Sequence, residues 1–566
     1  MIRKLFTNQF QFNINRNLFI NFQSISNNQY SGVTINKRNY CNHGFSNNNN
    51  TLTEQQSNIR VRYAPSPTGS LHLGGLRTAL FNYLFAKKNN GTFILRIEDT
   101  DQSRLVQGSA KNLEDCLNWA GVSYDEGPNK PGECGPYTQS QRLPIYKEYA
   151  QKLVDSGHAY HCFCSSERLN SSRINLKNKH SMSLYDRHCL KLTKEEVDEK
   201  LKNNESHTIR LKIPSEKVTK FYDLVKGKVQ FQNQLIDDQV LMKSDGFPTY
   251  HLASVVDDHL MGISHVIRGE EWLNSAPKHI ILYEAFGWKP PQMCHVPLLL
   301  NSDKSKLSKR QGDVSVDAYI AKGYLPQALV NFVSLLGWTP PTNNTNTNSN
   351  NSNTTQQQPS EILLMKDLID KFSLEDLNKS GSVVNLDRLD WINVQHIRML
   401  MDGQIDKEML EQVYNDLLKY PNQEILDQKL VNDKEYLEKT MQCVKERVHL
   451  VQDFLLLILP FYFRSINYTT DDAKKMKLKV WKNDSYENMQ KLIEVFENLQ
   501  EFSSSNIYNI ILKQSDNNTT VSNQLMSNLR YLLLGTPVGG GIPVSISILG
   551  KESTIQRLKR GLELNK

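Results

Sequence analysis

Residues 59–75 read IRVRYAPSPTGSLHLGG. Ile59–Ala64 alternates as a short strand, Pro65–Gly69 breaks the pattern, and a helical stretch runs from about Leu73 to Lys88. After an Asn89-Asn90-Gly91 turn, Thr92–Ile97 reads as a second strand. Strand, helix and strand in about 40 residues make a βαβ unit, so the sheet is parallel and ligands belong at its strand C-terminal ends. Helix candidates follow at 111–121 and 141–156. From 158 to 235 the pattern turns mixed and polar, which suggests an insertion, and helix–strand alternation returns over 238–300. Thr342–Gln358 is wholly polar low complexity and reads as an exposed, disordered insert. Beyond 361, helical stretches dominate, at 407–419, 425–463 and 484–500, and suggest a bundle or solenoid.

The whole chain has 566 residues, long enough for several domains and for a core that needs no staples. Eight cysteines exclude a disulfide-dense secreted scaffold. The net charge is +7, from 67 basic and 60 acidic residues. Residues 1–53 hold Arg3, Lys4, Arg16, Lys37 and Arg38 and no acid, so 62 basic residues face 60 acidic ones in the rest. An acid-free leader in which Phe6, Phe10 and Leu18 interleave with basic residues predicts a mitochondrial targeting peptide. No window predicts a membrane span. The most apolar run, Phe454–Phe463, is about half the ~20 residues required and contains Pro460, so it predicts a buried core helix.

Four clusters could carry chemistry. In the first, Gly74-Gly75 opens a helix, where free N–H groups and the positive dipole end suit phosphate, and His72 can donate to a phosphate oxygen. A packing role for the glycines fits the bare motif as well. The second, LRIEDTDQSR, puts Glu98, Asp99 and Asp101 at the end of the second strand, as ligands for an amino group or as a helix cap. The third, PTYHLASVVDDHLMGISHVIRGEEW, contains Arg268. With Arg62 it supplies two arginines near strand ends, and a guanidinium fork matches a carboxylate; a surface ion pair is the other reading. The fourth, NSDKSKLSKRQGD, could neutralise a triphosphate through Lys306, Lys309 and Arg310, or be a solvated basic loop.

Together, HLGG, EDTD, HLAS-VDDH-GEEW and KLSKR, which begins 234 residues after His72, resemble the glutamyl-tRNA synthetases, of bacterial type. HLGG and KLSKR stand at that family's class I signatures. The likeness is strong over 59–340 and weaker through LDRLDWINVQHIR and the helical C-terminus. EDTD favours a glutamyl over a glutaminyl enzyme.

The resemblance implies an α/β Rossmann-like class I catalytic domain with an inserted α+β acceptor-binding domain and an all-α C-terminal anticodon-binding region. The implied division is 1–57 targeting peptide and linker, 58–157 first catalytic half, 158–237 insert, and 238–320 second catalytic half with KLSKR. A stem-contact region at 321–400, carrying the insert 342–358, and a helical anticodon-binding domain at 401–566 complete it. The implied activity is glutamate–tRNA ligation: ATP with Mg²⁺ activates L-glutamate, and tRNA(Glu) accepts it.

By the same resemblance, His72, Lys306 and Lys309 are catalytic. Arg62, Tyr63, Ala64, Glu98, Tyr250, His251, Leu252, Ala253, Ser254 and Arg268 hold glutamate. His72, Gly74, Gly75, Glu271, Lys306, Leu307, Ser308, Lys309 and Arg310 hold ATP. A monomer in the mitochondrial matrix, with no membrane partner, is expected. Charging of tRNA(Gln), a glutaminyl enzyme and a non-catalytic RNA-binding paralogue stay open as alternatives. Some family members hold zinc through a CxC and a later Cys and His. Here Cys162, Cys164 and Cys189 match, but Lys191 stands where the last His belongs, with Tyr185, His188 and His161 nearby. Three ligands do not close a structural zinc site, so the pattern weighs toward reduced thiols.

Overall fold

A computed structural model describes residues 59–171, 185–307, 315–341 and 361–565. The expected leader 1–57, the insert 342–358, and Ser308, Lys309 and Arg310 lie outside the described residues. The N-terminal half runs β1 (Arg60–Tyr63), α1 (Leu73–Lys88), β2 (Thr92–Leu95), α2 (Ser109–Trp119), α3 (Leu143–Asp155) and β3 (Ala159–Cys162). It continues α4 (Lys194–Lys202), β4 (Thr208–Leu211), β5 (Val218–Asp223), β6 (Gly227–Gln232), β7 (Val240–Met242), α5 (Tyr250–Leu260), β8 (His265–Gly269), α6 (Ala276–Ala285) and β9 (Gln292–Val296).

β1 pairs in parallel with β2, Tyr63 opposite Leu95. Against the other edge of β1 lies the start of β8: Ser264 N–H donates to Arg60 O at 2.9 Å, and Arg60 N–H to Ser264 Oγ at 2.9 Å. β8 pairs in parallel with β9, β9 with β5, and β5 antiparallel with β6. The chain leaves β1 for β2 on one side and β8 for β9 on the other. The crevice between the C-terminal ends of β1 and β8 is therefore a topological switch point, where open α/β sheets bind ligands.

α1 forms where His72 caps it, its Nδ1 accepting from Gly75 N–H at 3.1 Å, and stops before Asn90, which takes a left-handed φ of 50°. Leu73, Leu76, Ala79, Leu80, Phe81 and Leu84 are wholly buried between the sheet and the helices Pro326–Ser334 and Met365–Lys371. Each large side chain contributes roughly 1.5–3 kcal/mol, which fixes the N-terminus of α1 at the crevice.

A second, antiparallel sheet, β3-β4-β7, packs on α3, α5 and α6 around Tyr146, Leu211, Leu241 and Val256. Sheet membership does not follow the 158–237 boundary. β5 and β6 lie inside it yet join the β8–β9 sheet through Asp223 opposite Met293, whereas β7 lies beyond it and pairs with β4.

The C-terminal half is helical, as its composition predicts. The stretch 425–463 is three α-helices rather than one, because Asp427 and Asp433 each cap a new start, at Gln428–Val431 and Lys434–Val444, before Asp453–Tyr462. That last helix contains Pro460 and buries Phe454, Leu457, Ile458, Phe461 and Tyr462. Among the described residues no helix is long and apolar enough to cross a membrane. Buried Arg557 donates to the carbonyls of Pro460 (2.8 Å), Phe461 (3.4 Å), Phe463 (2.6 Å) and Leu533 (2.9 Å), satisfying the ends of two helices at once.

Candidate active site

The crevice opens into a cavity of about 860 Å³. Its wall brings together Arg62, Tyr63, Ala64, His72, Gly74, Gly75, Glu98, Tyr250, Arg268, Glu271, Lys306 and Leu307. Residues from five separate stretches therefore converge. His251, Leu252, Ala253 and Ser254 are not on this wall. Leu252 and Ala253 turn into the core beneath α5, as a helical period dictates, and His251 bonds to His279 at 3.1 Å. Ser254, one turn below Tyr250, is buried and its hydroxyl has no protein partner.

At one end of the cavity stands the start of α1. The Nδ1 of His72 accepts from Gly75 N–H, which leaves the ring proton of a neutral imidazole on Nε2. A Cβ on Gly75 would come within 2.6 Å of Tyr63 Oη and 2.8 Å of Leu71 Cδ1, so only glycine allows this close turn. Leu307 N–H donates to Leu299 O at 2.9 Å, and Ser315 pairs with His72. The described residues on either side of 308–314 are thus anchored next to α1. Lys306 is exposed on the cavity wall.

The other end is a buried ionic network. Arg62 donates to Asp258 from Nε (3.0 Å) and Nη2 (3.3 Å). Arg96, wholly buried, donates to Asp258 (2.7 Å) and to Glu98 (3.0 Å). Asp257 accepts from Arg142 (2.8 Å), Gln139 (2.9 Å) and Tyr146 (2.8 Å). Three guanidiniums, of Arg62, Arg96 and Arg142, thus face three carboxylates, of Glu98, Asp257 and Asp258, and the network is neutral. Burial pushes the Glu98 carboxyl up, opposed by Arg96. Burial also acts on Asp258, but Arg62 and Arg96 outweigh it and hold that carboxyl below its usual range.

Arg268 differs. Among the described residues no carboxylate pairs with it. Its Nε donates to His295 Nε2 (3.0 Å), its Nη1 to Tyr250 Oη (2.9 Å) and His279 Nδ1 (3.3 Å), and its Nη2 reaches Trp272 O at 3.4 Å. All these acceptors are neutral. Burial holds His279 well below its ordinary value, with Arg268 adding to the effect; burial, Lys278 and Arg268 hold His251 down to about 3. This end of the cavity therefore holds a buried guanidinium with no carboxylate in contact among the described residues.

Sequence reasoning did not assign Arg96, Arg142, Asp223, Asp257, Asp258, His279 or His295. The VVDDH run held a signal for the two aspartates, because adjacent acids inside an apolar frame need cationic partners.

Away from the cavity, the sulfurs of Cys162, Cys164 and Cys189 lie within 4.8 Å of one another. The Tyr185 hydroxyl stands 3.3 Å from Cys162 Sγ and 3.6 Å from Cys164 Sγ, and so supplies the fourth donor that the spacing lacked. His188 and Lys191 do not join the cluster. The Cys162 thiol is pulled below its ordinary value, chiefly by the hydrogen bond from the Cys189 thiol, with burial opposing and Tyr185 assisting. The three thiols supply three ligands of a tetrahedral zinc site, with the Tyr185 hydroxyl beside them where a fourth would stand.

Comparison with known proteins gives a consistent picture. Residues 58–391 match the family model described as tRNA synthetases class I (E and Q), catalytic domain, and residues 407–562 match an anticodon binding domain. A glutamate–tRNA ligase of Pelodictyon phaeoclathratiforme is 42% identical over 511 residues, covering 89% of this chain and 98% of the relative. One from Alkaliphilus metalliredigens is 41% identical over 512 residues, covering 88% and 98%. A crystal structure of a glutamate tRNA ligase from Elizabethkingia meningosepticum, in complex with its amino acid, superposes with a TM-score of 0.77 at 34% identity, covering 90% of this chain and all of that one.

Proposed function

From the premise that this chain belongs to the glutamyl-tRNA synthetase family and is an aminoacyl-tRNA ligase, we propose how its residues divide the work. The observation that carries the reading is that Arg268, beside a network of paired arginines, has no carboxylate in contact among the described residues. Glutamate has one ammonium and two carboxylates, a net charge of about −1 at neutral pH. Its side-chain carboxylate is the contact partner that Arg268 lacks. Glutamine leaves Arg268 buried and unpaired, at a cost of several kcal/mol before relaxation. Arg268 and Tyr250 receive the side-chain carboxylate; Glu98, held by Arg96, receives the ammonium.

ATP enters as its Mg²⁺ complex with its phosphates toward His72 and the start of α1. An oxygen of the glutamate α-carboxylate attacks the α-phosphorus, the bond to the bridging oxygen breaks, and pyrophosphate leaves. His72 Nε2–H, the Gly74-Gly75 backbone and Lys306 stabilise the charge that develops, with Lys309 and Arg310 assigned the same task. A ribose hydroxyl of the tRNA 3′-terminal adenosine then attacks the adenylate carbonyl and AMP departs. No protein nucleophile takes part; positioning and charge supply the rate.

The division of the chain into catalytic halves, an acceptor-binding insert and a helical anticodon-binding region completes the reading. The protein acts as a monomer in the mitochondrial matrix; five basic residues and no acid in 1–53 support the address. A zinc ion on Cys162, Cys164, Cys189 and Tyr185 would tie β3 to the loop before α4 and take no part in the chemistry; elemental analysis should return about one equivalent. The decisive test of function is charging with labelled glutamate, using tRNA(Glu) and tRNA(Gln) in parallel. Glutamylation of tRNA(Glu) is expected. Charging of neither tRNA would favour the non-catalytic paralogue, and charging of both the non-discriminating enzyme.

A further inference from the structure

Behind Arg268 lie three buried groups, Asp223, His295 and His279, that are on neither the cavity wall nor any of the quoted motifs. Asp223, at the end of β5, accepts at Oδ2 from His295 Nδ1 at 2.6 Å, and His295, on β9, accepts at Nε2 from Arg268 Nε at 3.0 Å. Both are wholly buried. On the far side of the guanidinium, His279 Nδ1 accepts from Nη1, and its Nε2 meets His251 Nδ1 at 3.1 Å. A neutral imidazole has one acceptor nitrogen, and which one it is depends on the bond made by the other. Asp223 fixes the proton of His295 on Nδ1 and so makes Nε2 an acceptor. Arg268 has five N–H donors, and its four bonded acceptors, His295, Tyr250, His279 and the Trp272 carbonyl, are all neutral. The nearest link to a carboxylate runs through an imidazole. The fork is thereby aimed by hydrogen bonds while no carboxylate occupies its contact face.

We propose that Asp223 and His295 are positioning residues which, with His279, hold the Arg268 guanidinium in register, with no carboxylate in contact, for the substrate's side-chain carboxylate. The proposal rests on the reading of Arg268 given above. A carboxylate in direct contact would aim the fork equally well but would itself occupy the place of the ligand's carboxylate, as Asp258 does on Arg62. An imidazole backed by an aspartate avoids that.

The test uses the full-length protein and steady-state ATP–pyrophosphate exchange with tRNA(Glu) present. In Asp223→Asn the amide oxygen can still accept from Val225 and Lys226 N–H, the bonds that now shape the turn. Its NH₂ instead donates to His295 Nδ1, which moves the imidazole proton to Nε2, against Arg268 Nε–H. The KM for glutamate should rise about 10- to 100-fold, as expected for misplacing a binding group by about 1 Å, with the KM for ATP and the melting temperature little changed. His295→Leu should do the same. His295→Gln keeps an acceptor and should stay within a few-fold of wild type, and adding Asp223→Asn to it should have little further effect on KM.

Equal rises in the KM for glutamate and for ATP, or additive effects of Asp223→Asn in both backgrounds, would mean a merely structural role. So would a His295→Gln protein as impaired as His295→Leu. Should Asp223→Asn not fold, the two His295 variants decide alone. Arg268→Gln separates the two levels of the argument. If it leaves the KM for glutamate unchanged, the reading of the site fails. If it raises that KM and His295→Leu does not, only the relay fails.

Discussion

Asp258 grips Arg62 through two hydrogen bonds, Oδ1 to Nε at 3.0 Å and Oδ2 to Nη2 at 3.3 Å, although 196 residues separate them. The pair joins the helix after the insert to the strand that begins the fold, and it leaves Arg268 as the cavity-wall arginine of the two without a carboxylate in contact. Both side chains are about 4% exposed, so the pair is shielded from salt and from competing water.

Removing one partner of such a pair leaves the other buried and unpaired, at a cost of about 3–5 kcal/mol. Asp258→Asn should lower unfolding free energy by about 3 kcal/mol in urea titrations and raise the KM for glutamate. A loss below about 1 kcal/mol, with an unchanged KM, would show that Arg62 is held by other groups.

The buried histidines set the acid limit of stability. Burial holds His251 at about 3 and, with Arg268, holds His279 well below its ordinary 6.5. Folding therefore favours the neutral rings. Their contribution is complete above the unfolded value of 6.5 and is lost as pH falls toward the folded values, by about 1.4 kcal/mol per pH unit for each ring. Urea midpoints at pH 7.5, 6.5 and 5.5 should fall between the last two, and less steeply in His279→Asn. A flat profile would contradict the burial argument.

Gly75 has no room for a side chain beside Tyr63 and Leu71. Gly75→Ala should displace the first turn of α1 and lower kcat/KM for ATP in pyrophosphate exchange by about 10²-fold, with the C-terminal helices unaffected in their melting. Wild-type exchange would mean that phosphate does not approach this turn.

Arg557 satisfies four carbonyls with one buried guanidinium. Arg557→Met keeps much of the volume and leaves those acceptors unpaired, at about 1–3 kcal/mol each before relaxation. Thermal unfolding should show a C-terminal transition several degrees lower; an unchanged transition would assign the helix ends to other donors.

Much of this was legible in the sequence because it is local. IRVRYA, the Pro-stiffened turn and LHLGG specify strand, loop and capped helix within 17 residues, and the structure sets Tyr63, His72 and Gly75 where those patterns imply. What was not legible depends on pairing over long distances. Asp223 meets His295 across 72 residues, with no periodicity to announce it. The same pairing draws β5 and β6 out of the apparent insert and into the main sheet. The run Tyr250–Ser254 has no secondary structure assigned from the sequence; it begins a helix, so its side chains fan out and only Tyr250 meets the cavity. Tyr185 was among several candidates for a fourth metal donor; the choice needed the fold of the residues around Cys189.

A buried guanidinium with no carboxylate in contact, Arg268, selects a side-chain carboxylate. The most direct test of this selection is the ratio of kcat/KM for glutamate to that for glutamine, measured by ATP–pyrophosphate exchange with tRNA(Glu) present. A buried group built to pair with its ligand rejects the analogue that cannot, so the account predicts a ratio of about 10⁴ or more. A ratio within about tenfold of unity, where pocket shape alone would put it, would contradict the account.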